Sequence, residues 1–189
     1  MSLRPWFASA ALIAMLAIAT PTSAVAADEP AACTVAGVAV ADGEPVPEEI
    51  PTVMSCFDSV EEAEQFIEDG APGDLEQVTQ AGPTSRAAAA AATVIVGKAW
   101  TGTSRSGTVL IHYGSGTGCY GVTFGFPTLA SAWNNNIRSA EGLNNCWSSQ
   151  YDGTSYTGSA ITCTPYCATL GSFAAKTSSI VYRPTGTWA

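Results

Sequence analysis

The chain has few basic residues, a single histidine and no long apolar run. Its 189 residues include 7 Lys and Arg against 16 Asp and Glu, for a net charge of −9 at pH 7. This acidic balance argues against nucleic-acid binding, which depends on Lys and Arg at the phosphates. One histidine leaves few options for histidine-based catalysis. Because no run reaches about 20 apolar residues, we expect no stable membrane insertion.

The N-terminus has the features of a secretory signal. Arg4 supplies a positive charge, Ala10–Ala19 is a short apolar run, and Ala24-Val25-Ala26 fits a small-x-small cleavage site. These features predict that residues 1–27 are a signal peptide and that the protein is secreted and extracellular.

Charge and aromatic residues divide the mature chain into two parts. Residues 28–92 hold 14 acidic residues and one basic residue, a net charge of −13, whereas residues 93–189 carry a net charge of +3. The second part also holds 13 of the 17 aromatic residues. Because aromatic rings supply much of the buried area of a core, we expect the core to lie in residues 93–189.

The acidic N-terminal segment, residues 28–92, is interpreted as a pro-region or a linker. Prolines interrupt residues 28–51, which favours extended or disordered chain, and residues 71–92 have the composition of a linker. Either the segment docks on the positive β domain until cleavage after Arg86, or it is a solvated extension. Charge asymmetry alone does not decide between these alternatives.

One helix is predicted within this segment. The stretch Asp58–Gly70 is amphipathic, with Asp58 as the N-cap, Glu61 at the capping-box position and Gly70 as the stop. Its narrow apolar face requires a surface to pack against.

The cysteines predict disulfide bonds. An even number of cysteines in an exported chain is typical of disulfide pairing, although six cysteines allow 15 connectivities. Pairing within each part of the chain would join Cys33 to Cys56 and leave two bridges among the other four. Cys163-x3-Cys167 lacks the second Cys/His pair of a zinc site, so a disulfide is favoured there. The six candidates are Cys33, Cys56, Cys119, Cys146, Cys163 and Cys167.

After residue 92 the sequence predicts an all-β domain. Short runs of β-branched and aromatic residues alternate with glycine-rich turns, which indicates a sandwich or barrel. Thr103–Leu110 resembles Thr154–Ile161 at an offset of 51 residues, and each half then reaches a serine, Ser139 or Ser179. Two copies of a four-stranded unit explain this repeat, because one copy could hardly bury its own apolar face.

The repeated segments resemble βγ-crystallin Greek keys. Tyr151-x4-Tyr156-x-Gly158 matches the aromatic-x4-aromatic-x-Gly signature of that family, and Trp100-x4-Arg105-x-Gly107 has the same pattern with Arg as the second residue. The glycine permits the positive φ of a tightly folded hairpin. The resemblance implies a double Greek-key sandwich, preceded by a mostly irregular acidic segment with one short helix.

A second motif resembles the calcium loop of the same family. Residues 133–139 read Trp-Asn-Asn-Asn-Ile-Arg-Ser, which implies Asn134, Asn135 and Ser139 as ligands of a degenerate site. Arg138 replaces a hydroxyl ligand, and a guanidinium repels a hard cation. We therefore expect no cofactor, and calcium only as the minor alternative to a polar turn.

No constellation of residues predicts an enzyme. A Ser/His/Asp set would need His112, which lies in an apolar run, together with Asp152. Paired carboxylates for glycoside chemistry would have to be Glu141 and Asp152. We expect neither arrangement, and no catalytic residue.

The segment Ile161–Gly171 resembles the inhibitory segment of the streptomycete, and hence actinobacterial, metalloproteinase inhibitor family. That family shares an apolar-Thr-Cys entry, a short loop, a second Cys and an Ala-Thr-apolar-Gly exit. The resemblance implies a reactive loop presented to an extracellular metalloprotease, with Cys163-Thr164 as the scissile bond. We also expect a monomeric protein. The alternative is a non-catalytic binding or structural module, calcium-linked or toxin-like toward microbes. The predicted reactive loop is Cys163, Thr164, Pro165, Tyr166 and Cys167.

Overall fold

The computed structural model describes residues 29–80 and 92–188. The predicted signal peptide and the cleavage site at Arg86 lie outside these ranges. The described chain forms the strands β1 Ala32–Ala36, β2 Val38–Ala41, β3 Met54–Phe57, β4 Thr93–Trp100, β5 Val109–Ser115, β6 Val122–Phe126, β7 Ser139–Gly142, β8 Cys146–Tyr151, β9 Ala160–Cys163, β10 Tyr166–Cys167 and β11 Ser179–Pro184. The helices are α1 Val60–Glu68, α2 Asp74–Gln80 and a 3-10 turn at Gly171–Phe173.

The strands form two sheets that pack face to face. One sheet has the order β10-β7-β4-β5-β1-β3, and the other has the order β2-β6-β11-β8-β9. Strands β4–β7 are the first half of the repeat and β8–β11 are the second. The third strand of each half, β6 or β10, belongs to the sheet built by the other half. This exchange is a double Greek key, so the all-β prediction is confirmed.

The two halves share their hairpin chemistry, which confirms the repeat. In each half a buried serine hydroxyl accepts a backbone N–H from the first hairpin and donates to a backbone carbonyl of the same hairpin. The hairpins turn through positive φ angles, including 77° at Gly107 and 82° at Gly158. A side chain would be strained at such angles, which explains the two glycines. The equivalent groups are Ser139 with Arg105 and Gly102, and Ser179 with Tyr156 and Gly153.

The N-terminal segment is more ordered than the sequence analysis expected. Strand β1 runs parallel to β5, with Ala32 opposite Val109, and β3 pairs antiparallel with β1. Strand β2 pairs antiparallel with β6 in the other sheet. The N-terminal segment thereby covers the outer side of β5 in one sheet and the outer side of β6 in the other. The sequence did not predict this because edge pairing uses backbone groups that every residue except proline carries.

The predicted helix is present, with a different cap. Helix α1 begins after Ser59, whose hydroxyl accepts the backbone N–H of Glu62 at 3.1 Å, so Asp58 is not the N-cap. A second helix, α2, occupies part of the expected linker. Its first residue, Asp74, is buried and accepts hydrogen bonds from the hydroxyls of Ser55 and Tyr113.

Helix α1 packs on the outer face of the six-stranded sheet. Ala63 and Ile67 are buried there, and Lys98 forms an ion pair with Glu64. Thr93 also donates its hydroxyl to the carbonyl of Ile67. Apolar burial is the larger contribution, since a partly exposed ion pair adds at most about 1 kcal/mol. The segment is therefore docked on the β domain and is not a solvated extension. Ala63 and Ile67 belong to an apolar cluster on this outer face, whose other buried members are Ala32, Ala36, Ala71, Val78, Trp100, Val109, Ile111 and Tyr113.

The main core lies between the sheets. Its largest fully buried members are Leu110, Phe124, Ile137, Leu170, Ile180 and Tyr182. All of them belong to the part of the chain with the aromatic residues, as expected. The core holds the disulfide Cys119–Cys146, and two further disulfides join Cys33 to Cys56 and Cys163 to Cys167. The predicted pairing is confirmed.

Candidate functional site: the disulfide-closed loop

The predicted reactive loop connects the two sheets. It leaves the five-stranded sheet at the end of β9 and enters the six-stranded sheet at β10, and its two cysteines are 5.2 Å apart at Cα. Cys163 is fully buried, whereas Thr164 and Pro165 are exposed. The loop therefore presents a short exposed segment whose two ends are fixed in different layers of the sandwich.

Backbone hydrogen bonds hold the far side of the loop. The carbonyl of Pro165 accepts the N–H of Gly142 at 2.8 Å. Tyr166 and Cys167 then pair antiparallel with Glu141 and Ala140 of β7. The exposed residues are thus bracketed by a disulfide and by sheet pairing, which restricts their conformations before any partner binds.

Arg105 packs over the loop from the first hairpin. Its guanidinium carbon lies 3.8 Å from the centre of the Tyr166 ring, and its Nε donates to Glu141 Oε2 at 2.8 Å. The hydrogen bond to Glu141 raises the pKa of Arg105 above its ordinary value. The sequence showed Arg105 only as a departure from the crystallin signature. The structure shows that this departure joins the first hairpin to the predicted reactive loop.

The equivalent position in the second half serves the N-terminal segment. Tyr156 donates its hydroxyl to the carbonyl of Pro47 at 3.1 Å and packs against Tyr151. Burial raises the pKa of Tyr156 well above its ordinary value. The two hairpins therefore contact different elements. The first hairpin contacts the disulfide-closed loop, and the second contacts the N-terminal segment.

Of the three predicted calcium ligands, two have exposed side chains and the third is already engaged in hydrogen bonds. Asn134 and Asn135 are exposed, while the Ser139 hydroxyl is buried and engaged in the hairpin hydrogen bonds described above. Arg138 Nη1 donates to the carbonyl of Thr101 at 2.7 Å and to Asn136 Oδ1 at 2.9 Å. The positively charged guanidinium of Arg138 thus already contacts oxygen atoms beside this loop. The expectation of a polar turn, with calcium binding as the minor alternative, stays a prediction.

Within residues 29–80 and 92–188, no group of three or more His, Cys, Asp and Glu side chains has the arrangement of a metal site. His112 is fully buried in β5, where its Nδ1 shares a hydrogen bond of 3.0 Å with the Tyr182 hydroxyl. Desolvation lowers the pKa of His112 to about 3, so the imidazole is neutral at physiological pH.

The two carboxylates considered for catalysis have separate structural roles. Glu141 pairs with Arg105, as described above, whereas Asp152 accepts the backbone N–H of Ser159 at 2.7 Å in the second hairpin. Neither carboxylate has a hydrogen bond to His112 in the described chain. The geometry of these residues is that of supports for the fold and the loop.

Comparisons with known proteins give structural neighbours only at modest similarity. No family model matches the chain, and no curated protein matches it. The N-terminal domain of protein S is 16% identical, with a TM-score of 0.37, over 47% of this chain and 96% of that domain. A betagamma-crystallin domain from Flavobacterium johnsoniae is 18% identical, with a TM-score of 0.38, over 49% of this chain and 99% of that domain.

Proposed function

We propose that this protein is a secreted inhibitor that presents the loop Cys163–Cys167 to an extracellular metalloprotease. The observation that carries the proposal is the exposed Thr164-Pro165 segment held between a disulfide and two strands of different sheets. A loop fixed in this way loses little conformational entropy on docking, so more of its contact energy becomes affinity.

The same geometry gives a physical reason why a cleaved loop would remain bound. If the protease hydrolysed the Cys163-Thr164 bond, the disulfide would still join the two sides of the break. Strands β9 and β10 would also remain anchored in their sheets. The new termini would be held at high effective concentration, which favours resynthesis over product release.

Secretion is supported by more general features of the structure than the inhibitory loop is. Three disulfides suggest an oxidising environment such as the extracellular space. In residues 29–80 and 92–188, no helix combines the length and the apolar character needed to cross a bilayer. The disulfide-bonded Greek-key fold is consistent with a secreted binding or structural module, of which an inhibitor is one kind.

The proposal is tested by titrating the mature protein against a thermolysin-type zinc endopeptidase that hydrolyses a peptide substrate. We expect stoichiometric inhibition at micromolar concentration and, on long incubation, cleavage at Cys163-Thr164 alone. The double variant Cys163→Ser/Cys167→Ser should inhibit at least about tenfold more weakly and should be degraded as a substrate.

The matched control removes a different disulfide. Cys33→Ser/Cys56→Ser loosens the pairing of β1 with β3, far along the six-stranded sheet from β10, and should keep full inhibition where circular dichroism shows it folded. No inhibition by the wild-type protein, with the Cys163–Cys167 bridge verified by mass spectrometry, would rule the proposal out.

A further inference from the structure

The two halves of the repeat differ in how their sheet edges are covered. In the first half, β5 is paired on one side with β4 and on the other with β1. Its counterpart in the second half is β9, which pairs with β8 and ends the five-stranded sheet. Within the described chain, no strand lies on the other side of β9. This open edge adjoins the disulfide-closed loop.

The hydrogen-bonding groups along β9 have a defined direction. Asp152, directly after β8, donates its N–H to the carbonyl of Ser159, directly before β9, so the backbone groups of these two residues face each other at the end of the β8–β9 ladder. In an antiparallel ladder such pairs alternate, so Ile161 and Cys163 also face β8. The N–H and C=O groups of Ala160 and Thr162 must then point toward the open edge.

Side-chain contacts agree with this assignment. Residues that do not exchange backbone hydrogen bonds stand closer together across an antiparallel pair. Thr162 and Ser149 are partners in the register, and their hydroxyl oxygens are 3.0 Å apart.

The first half shows how such an edge accepts a strand. With the offset of 51 residues, Val109 corresponds to Ala160 and Tyr113 corresponds to Thr164. The N–H of Val109 donates to the carbonyl of Ala31 at 3.1 Å, and the carbonyl of Tyr113 accepts the N–H of Gly37 at 2.8 Å. A strand in the equivalent place would run beside residues 160–164. That span includes the Cys163-Thr164 bond.

The open edge also lacks the usual protection against pairing. Natural edge strands are commonly blocked by charged residues, proline or a bulge. Residues 159–163 read Ser-Ala-Ile-Thr-Cys and contain neither charge nor proline, and the β8–β9 register is continuous.

We infer that the open edge of β9, continued to Thr164, is a docking strip for an extended strand, supplied by the rim of the protease's substrate cleft. This inference rests on the proposed function, because the predicted scissile bond lies within the strip. The partner is recognised through its backbone N–H and C=O groups, as in β-strand addition. Side chains of the exposed loop then provide selectivity.

The experiment removes one outward-facing donor. Proline is tolerated on edge strands where its missing N–H faces solvent. The variant Ala160→Pro should therefore keep the fold and weaken inhibition of the thermolysin-type protease about tenfold, the effect of about one lost interfacial hydrogen bond. The control Ala41→Pro removes an N–H that faces away from β6, at the end of β2 on the opposite edge of the same sheet, and should inhibit like the wild-type protein.

A second measurement does not depend on the variant folding. In hydrogen exchange of the wild-type protein, the amides of Ile161 and Cys163 should be protected in the free state because they face β8. The amides of Ala160 and Thr162 should gain protection only in the complex with the protease.

The outcomes separate the two proposals. Unchanged inhibition by folded Ala160→Pro, or an inhibitory complex without new protection at Ala160 and Thr162, overturns the docking strip and leaves the inhibitor proposal intact. Absence of inhibition by the wild-type protein overturns both. A homodimer that Ala160→Pro dissociates would identify a second copy as the occupant and would also overturn the inference.

Discussion

The buried histidine makes a specific prediction about acid stability. His112 is fully buried between the sheets, and burial lowers its pKa to about 3, while the unfolded chain has the ordinary value of 6.5. Between these pH values the unfolded chain binds a proton that the folded protein does not. The contribution of His112 to the free energy of unfolding is therefore complete above pH 6.5 and is lost as the pH falls toward 3.

The two pKa values set the size of the effect. The full contribution of His112 is about 5 kcal/mol, and about 2 kcal/mol of it is lost by pH 5. These values are large compared with the typical stability of a domain, about 5–15 kcal/mol. Acid sensitivity should therefore begin well above the pH at which most carboxylates are protonated.

The measurement compares the wild-type protein with His112→Asn, which keeps a neutral hydrogen-bonding side chain beside the Tyr182 hydroxyl. Urea unfolding followed by tryptophan fluorescence gives the free energy of unfolding at pH 7, 6 and 5. Both proteins keep the ion pairs Lys98–Glu64 and Arg105–Glu141, so their titration cancels in the difference. The advantage of the wild-type protein should shrink by about 2 kcal/mol from pH 7 to pH 5. A difference that is independent of pH would refute the reasoning.

Three further predictions concern packing and the repeat. Gly97→Ala would place a Cβ 2.0 Å from Cε1 of Tyr182, and because both are buried we expect a loss of at least about 1–3 kcal/mol in urea unfolding. Ile67→Ala should cost about 2–5 kcal/mol and speed hydrogen exchange in α1, whereas equal exchange would mean that the helix is held otherwise. Ser139→Ala and Ser179→Ala each leave two hairpin backbone groups without their hydroxyl partner, so each should lower stability by about 1–3 kcal/mol in thermal unfolding, and a clear inequality would contradict equivalent roles.

Much of the β domain was readable from local patterns. The glycine and aromatic spacing predicted the two hairpins because a positive φ favours glycine there, and Gly107 and Gly158 adopt it. The cysteine count predicted three bridges, and pairing within each part of the chain gave the correct partner for Cys33. The predicted helix also formed, since its apolar spacing is a local feature, although its N-cap is Ser59 and not Asp58.

The N-terminal segment shows where local reasoning failed. Thr34, Val35, Val38 and Val40 are β-branched residues in an apolar stretch, a signal for strands that the nearby prolines obscured. Nothing in that stretch specifies a parallel partner about 75 residues away. That partner was decided by the availability of the β5 edge in the assembled sandwich.

The sequence by itself determined the all-β domain, its internal repeat, the presence of disulfide bonds and the position of the disulfide-closed loop. These features depend on residue types at fixed spacings, which are present before the chain folds. Only the tertiary structure decided that the N-terminal segment covers the edges of the first half, that Arg105 lies on Tyr166, and that the β9 edge beside the loop is open. Edge pairing and long-range stacking arise from backbone groups and surfaces that become neighbours only when both sheets have formed.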